Sequence, residues 1–77
     1  MVTYVYKIRN SEGFFSIGTT KPKFTENGKY WSNLKFLRSH LSIIAKQTPK
    51  DHPDYPYHGC SIVRFKIEED EVLENIK

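Results

Sequence analysis

Cysteine is nearly missing from this sequence. Cys60 stands alone among 77 residues, which excludes an internal disulfide and a cysteine-rich zinc module. Long hydrophobic runs are missing too, and no stretch approaches the roughly 20 apolar residues of a membrane span. Met1-Val2-Thr3-Tyr4 has neither a basic nor an apolar leader region, so no signal peptide is expected. Hydrophobic residues supply only 38% of the chain. A domain of this size buries about 60% of the surface of its unfolded chain, so its core must be thin. There is no repeat and no low-complexity tract. What is abundant is aromatic: five Phe, five Tyr and one Trp can fill a small core with few residues. Both signs of charge are present at 27% in total, which argues against wholesale disorder. The expectation is one small, soluble, cytoplasmic domain over residues 1–77.

The charge is unevenly placed. Residues 1–50 hold nine Lys and Arg against two Glu, a balance of +7. Residues 51–77 hold three basic residues against seven acidic ones, a balance of −4. A basic body joined to an acidic tail (68–77) suits an anionic partner for the body, although an ordinary solvated surface has the same look.

Val2 to Arg9 alternates, with Val2, Tyr4, Tyr6 and Ile8 on one face and Thr3, Val5, Lys7 and Arg9 on the other, which predicts a strand. Asn10-Ser11-Glu12-Gly13 is a turn signal, and Phe14 to Gly18 predicts the second strand of a hairpin. Thr19 to Asn27 lacks a period and reads as a loop, closed by the turn dipeptide Asn27-Gly28. Ser32 is a plausible N-cap for a helix over about 33–47. Leu34, Leu37, Leu41 and Ile44 form its apolar stripe, and Lys35, Arg38, Ser39, Ser42 and Lys46 its polar face. Pro49 ends the helix, and Lys50 to Gly59 reads as a connector with polyproline character. Cys60 to Ile67 is a further strand, with Val63, Phe65 and Ile67 on one side and Ile62, Arg64 and Lys66 on the other. The order predicts a two-layer α+β domain, an antiparallel sheet of three to four strands covered by one helix. The stripe of the helix is expected to bury against Val63, Phe65 and Ile67. Leftover apolar residues such as Val5, Phe14 and Ile62 point to a possible homodimer.

Chemistry-bearing patterns are sparse. His40, His52, His58 and Cys60 show neither CxxC nor HxxxH spacing, so no metal site is expected. Cys60 with a histidine is a weak nucleophile pattern, and Glu68-Glu69-Asp70-Glu71 reads as a solvated acidic run, so neither catalytic residues nor a cofactor is expected. The richest segment is Gly28-Lys29-Tyr30-Trp31-Ser32, which sets a lysine and two aromatic rings just before a helix. Lys29, Tyr30 and Trp31 are therefore the central candidates for binding an anionic ligand, with Lys21, Lys23, Arg9 and Arg38 as supporting cations. Stacking on Tyr30 or Trp31 would contact a base, whereas Trp31 could equally plug the core where helix meets sheet.

Tyr6-Lys7-Ile8-Arg9-Asn10 is followed by Gly13-Phe14-Phe15-Ser16-Ile17-Gly18, Pro22-Lys23-Phe24, Gly28-Lys29-Tyr30-Trp31, Leu37-Arg38-Ser39-His40-Leu41 and Ile62-Val63-Arg64-Phe65-Lys66-Ile67-Glu68. In that order these pieces resemble a family of small, mostly uncharacterised proteins and domains encoded by large tailed bacteriophages. The family often has Gly-Gly after the hairpin serine, where this chain has Ile17-Gly18. The resemblance implies a phage accessory protein acting in the host cytoplasm, and by analogy of size and chemistry an anti-defence role such as sequestering a nucleotide signal. The alternatives are a nucleic-acid-associated accessory protein and a protein-binding inhibitor of a host factor, contacting it through the acidic tail or Tyr55-Pro56-Tyr57.

Overall fold

The computed structural model describes residues 2–19, 23–68 and 70–76. The alternating segment forms β1 (Val2–Arg9), and Asn10 turns the chain by accepting from the amides of Glu12 and Phe14 through Oδ1, at 3.0 and 2.9 Å. β2 (Phe15–Ser16) follows, shorter than the expected strand, and β3 (Phe24–Thr25) forms inside the segment read as a loop. α1 spans Leu34–Gln47 and β4 spans Ser61–Glu68. The four strands make one antiparallel sheet in the order β3-β2-β1-β4, so the domain is a small α+β fold as expected.

α1 starts one residue later than its expected cap. Asn33, in an extended conformation, accepts from the Lys35 amide at 2.7 Å, which satisfies one of the otherwise orphaned first-turn donors. Asn33 takes the role expected of Ser32, its side-chain oxygen reaching the amide of the second helical residue. At the other end the Thr48 amide donates to the Ile44 carbonyl before Pro49 stops the helix.

The helix covers the other face of the sheet from the one expected. It packs on β1, not on β4. The register pairs Ile8 with Ile62, Tyr6 with Arg64 and Val5 with Phe65. Directly paired residues share a face, so Ile62 and Arg64 lie on the helix side, and Val63, Phe65 and Ile67 on the outer side. The core is Ile8, Trp31, Leu37, Ile44, Tyr55 and Tyr57, with Tyr6, Phe24, Leu41, Ala45 and Cys60 packed around it. Alternation separated the two faces of each strand correctly. Both faces of β4 carry apolar residues, however, and the choice was made by Trp31, whose amide and carbonyl pair with those of Tyr6 at 2.8 Å each. That bridge sets a large ring on the Tyr6–Ile8 side, and the helix stripe closes over it.

The outer face has a lid made of one lysine. Lys7 Nζ lies 4.8 Å from the Phe15 ring centre and 5.6 Å from that of Phe65, and donates to the Asn27 carbonyl at 2.7 Å. Phe15 and Phe65 meet edge-on at 5.8 Å. Val5 is buried on this side of the sheet. Segment 70–76 has no regular structure, and its Val72, Leu73 and Ile76 are exposed.

Candidate functional site

The site grows from the edge that β2 leaves open. β2 is only two residues long, so beyond it β1 is met by the segment at Lys29–Trp31: the Lys29 amide donates to the Ser16 carbonyl, and Trp31 pairs with Tyr6. This carries Lys29 and Trp31 onto the helix side, where Lys29 Nζ sits 5.1 Å from the Trp31 ring centre. Gly18 makes the closeness possible. Its φ is +74°, and a Cβ there would lie 2.6 Å from Lys29 Cδ and 3.1 Å from Trp31 Cζ2. The Trp31 ring is tilted 33° against the imidazole of His40 from α1, at 5.4 Å.

Behind these rings runs a buried chain of polar groups. Ser16 Oγ accepts from the Gly18 amide at 3.1 Å and lies 2.9 Å from the Tyr57 hydroxyl, which lies 2.8 Å from His40 Nε2. One polarity gives both hydroxyl donors an acceptor: Ser16 donates to Tyr57, Tyr57 donates to His40 Nε2, and the imidazole proton sits on Nδ1. The opposite polarity would leave the hydroxyl hydrogen of Ser16 without an acceptor in a site only 2% exposed. Burial, and secondarily the Lys29 ammonium, lower the His40 pKa from its ordinary value, so the neutral ring this polarity needs is favoured. Burial raises the Tyr57 hydroxyl and the Cys60 thiol. The raised thiol holds Cys60 away from the thiolate form in which cysteine is reactive.

The sequence-expected residues separate. Lys29 and Trp31 come together; Lys23 is exposed, its carbonyl accepts from the Ile17 amide at 3.1 Å, and no contact joins its side chain to Lys29 among the described residues. Trp31 is 7% exposed, so it fills the core where helix meets sheet, the second of the two roles weighed for it. Tyr30 is 59% exposed and adjacent to Trp31 in extended chain, so the two rings project to opposite sides and do not form one stacking platform. Arg9 ends β1 on the side away from α1, and Arg38 is exposed on the helix. No hydrogen bond or ring contact joins either to Lys29 among the described residues. Lys21 lies outside the described residues. Tyr55 and Tyr57 turn inward as core residues, which removes them as an exposed contact for a partner. Tyr57, Ser16 and Gly18 are what residue-by-residue reading missed. The available signal was a pair of aromatics flanking Pro56, a residue that limits how far a connector can wander from the core.

Elsewhere, an apolar depression of about 190 Å³ is lined by Ile8, Leu41, Tyr55, Tyr57, Cys60, Ser61 and Ile62. Ligand pockets usually enclose roughly 300–1,000 Å³, so this one suits a side chain or two and not a nucleotide. Among the described residues no group of three or more His, Cys, Asp or Glu gathers to hold a metal, and no helix is long and apolar enough to cross a membrane. Comparison with protein-family models, curated proteins and solved structures returns no match.

Proposed function

We propose that this domain is a non-enzymatic binder of an anionic, phosphorylated ligand, gripped at Lys29 with Lys23 as a supporting cation. The observation that supports it is the Lys29 ammonium, steered by Gly18 over the Trp31 ring with no carboxylate partner among the described residues. The His40 pKa, lowered chiefly by burial, is lowered further by the nearby Lys29 ammonium, which sets that positive charge beside the Trp31 and His40 rings. A lysine so held acts on phosphate as a point charge, and the excess of +7 over residues 1–50 draws anions toward it. Exposed Tyr30 is the ring left for contact with a base, and Arg9 and Arg38 contribute through the wider field. The resemblance to small tailed-phage proteins fits a ligand that is a nucleotide signal of host defence, bound and sequestered in the host cytoplasm.

A thermal-shift titration with linear and cyclic nucleotides tests this. Saturable stabilisation is expected, growing with ligand as binding to the native state requires. In Lys23→Ala, Lys29→Ala the shift should vanish while the fold persists, because exposed lysines contribute little to stability. A folded double variant that still binds nucleotide overturns the assignment. Binding that scales with oligonucleotide length and collapses with salt indicates the nucleic-acid reading. No response to either class indicates the host-protein reading, with the acidic segment as its contact.

A further inference from the structure

The contacts around Lys29 close into a ring. His40 Nε2 lies 2.8 Å from the Tyr57 hydroxyl, that hydroxyl lies 2.9 Å from Ser16 Oγ, and Ser16 Oγ accepts from the Gly18 amide at 3.1 Å. The Lys29 stem rests on Gly18, where a Cβ would meet its Cδ at 2.6 Å. Lys29 Nζ lies 5.1 Å from the Trp31 ring centre, and that ring lies 5.4 Å from the His40 imidazole, which returns the path to its start. The exposed ammonium is thus joined to the half-buried imidazole along two arcs, one of hydroxyls and one of an aromatic ring.

We propose that this ring makes the anion site proton-linked, which rests on the reading of Lys29 as the group that binds the anion. An anion seated on Lys29 draws a proton from solvent onto His40 Nε2, so the filled site carries two cations where the empty one carries one, and binding tightens as the solution is acidified.

In the empty site the imidazole is held neutral. Burial, and then the Lys29 ammonium, set its pKa below the ordinary value. The hydroxyl chain acts in the same direction. A proton at Nε2 turns that nitrogen from acceptor to donor, so Tyr57 must accept from it and donate in turn to Ser16, whose own hydrogen then lacks an acceptor. An anion on Lys29 cancels the repulsion and adds an attraction, at a site where charges interact more strongly than in bulk water. The groups that face His40 offer no counter-charge of their own. Lys29 comes from the segment before α1, Tyr57 from the connector with Tyr55 and Cys60 beside it, and Tyr6 from β1. On α1 itself the charged residues are Lys35, Arg38 and Lys46, all cationic and exposed. Neither Lys29 nor His40 has a carboxylate partner among the described residues, so the ligand must supply the negative charge. The pKa of His40 is then higher in the complex than in the free protein. Affinity therefore rises as pH falls through the interval between those two values, and is flat outside it.

Inorganic sulfate is the probe for this, because its charge does not change across the range and any proton taken up belongs to the protein. NMR titration at about pH 7.5 and about pH 5.5 follows the Gly18 and Lys29 amides, the Trp31 indole and the His40 imidazole. The dissociation constant should fall about fivefold to tenfold at the lower pH, within what one linked proton allows. Saturating sulfate should raise the His40 pKa, because the coupling is reciprocal. In Lys29→Ala sulfate should leave that pKa unmoved. His40→Gln can still accept from Tyr57 but takes up no proton, so it should bind sulfate without preference for acid. Should that variant unfold, the imidazole titration of the unaltered chain with and without sulfate decides the matter. A folded His52→Gln, His58→Gln double variant, which removes the imidazoles of the connector, should keep the preference. Sulfate that perturbs Lys29 and Gly18 with equal affinity at both pH values, or that leaves the His40 pKa in place, overturns the proton link and leaves Lys29 standing as a binding group. A preference for acid that survives His40→Gln, or that is lost in the connector variant, also overturns the link. Sulfate that perturbs none of these groups at either pH overturns the Lys29 reading together with it.

Discussion

Tyr57 is the residue whose hydroxyl links three elements: β2 through Ser16, α1 through His40 and the connector from which it comes. Its ring also meets Phe24 and Tyr55 edge-on, so Tyr57→Phe isolates the oxygen while keeping the packing. The substitution leaves Ser16 and His40 without their shared partner and should cost about 1–3 kcal/mol in urea denaturation. His40 adds a pH dependence. Its folded pKa is lowered, first by burial and then by Lys29, so near its ordinary value of about 6.5 the unfolded chain binds the proton that the folded one refuses. Stability should therefore fall as pH drops through about 6.5, and the loss should level off below the folded pKa. An imidazole titration by NMR should find the folded value below that of a free peptide. In Lys29→Ala it should move part of the way back, since burial, the larger cause, remains.

α1 owes its place to Leu37, which is fully buried, and to Ile44 two turns further along the same face. Leu37→Ala should cost about 2–5 kcal/mol, as other buried large-to-small changes do. A second element-level test is Gly28, where the turn presses on β2. Its φ is +63°, and a Cβ would overlap Phe15 Cβ and approach the Phe15 carbonyl at 2.9 Å. Gly28→Ala should destabilise by more than the ~1–2 kcal/mol of the left-handed conformation alone, read from a lowered urea midpoint. Elements with a period were legible in the sequence. β1 has the expected bounds, α1 is one residue short at its start, and β4 is shifted by one residue. β3 was not legible, because two residues carry no period and Phe24–Thr25 is a strand only through its pairing with β2. The candidate site was half legible. Lys29 and Trp31 announced themselves by proximity in sequence, whereas Ser16 and Tyr57, 41 residues apart, meet only through the fold.

At the scale of the molecule, the dimensions of 52 × 24 × 20 Å describe an elongated body, not a sphere, in which β1 and β4 form a two-strand ribbon eight residues long. The central strand, β1, draws its neighbours from opposite ends of the described chain: β2 just after it, and β4 from Ser61 to Glu68. That arrangement has a kinetic consequence. The hairpin and the helix are local and can form early, but β1 acquires its longest partner only after the whole intervening chain has closed into a loop. The closure entropy is lost before the ladder gives anything back, so the ribbon sets the barrier. Stopped-flow folding should show it as an asymmetry. Val5→Ala, against Phe65 at the centre of the ribbon, should slow folding, whereas Ala45→Gly in α1 should chiefly speed unfolding. The reverse pattern would mean that the helix docks at the barrier and that β4 joins a domain already formed.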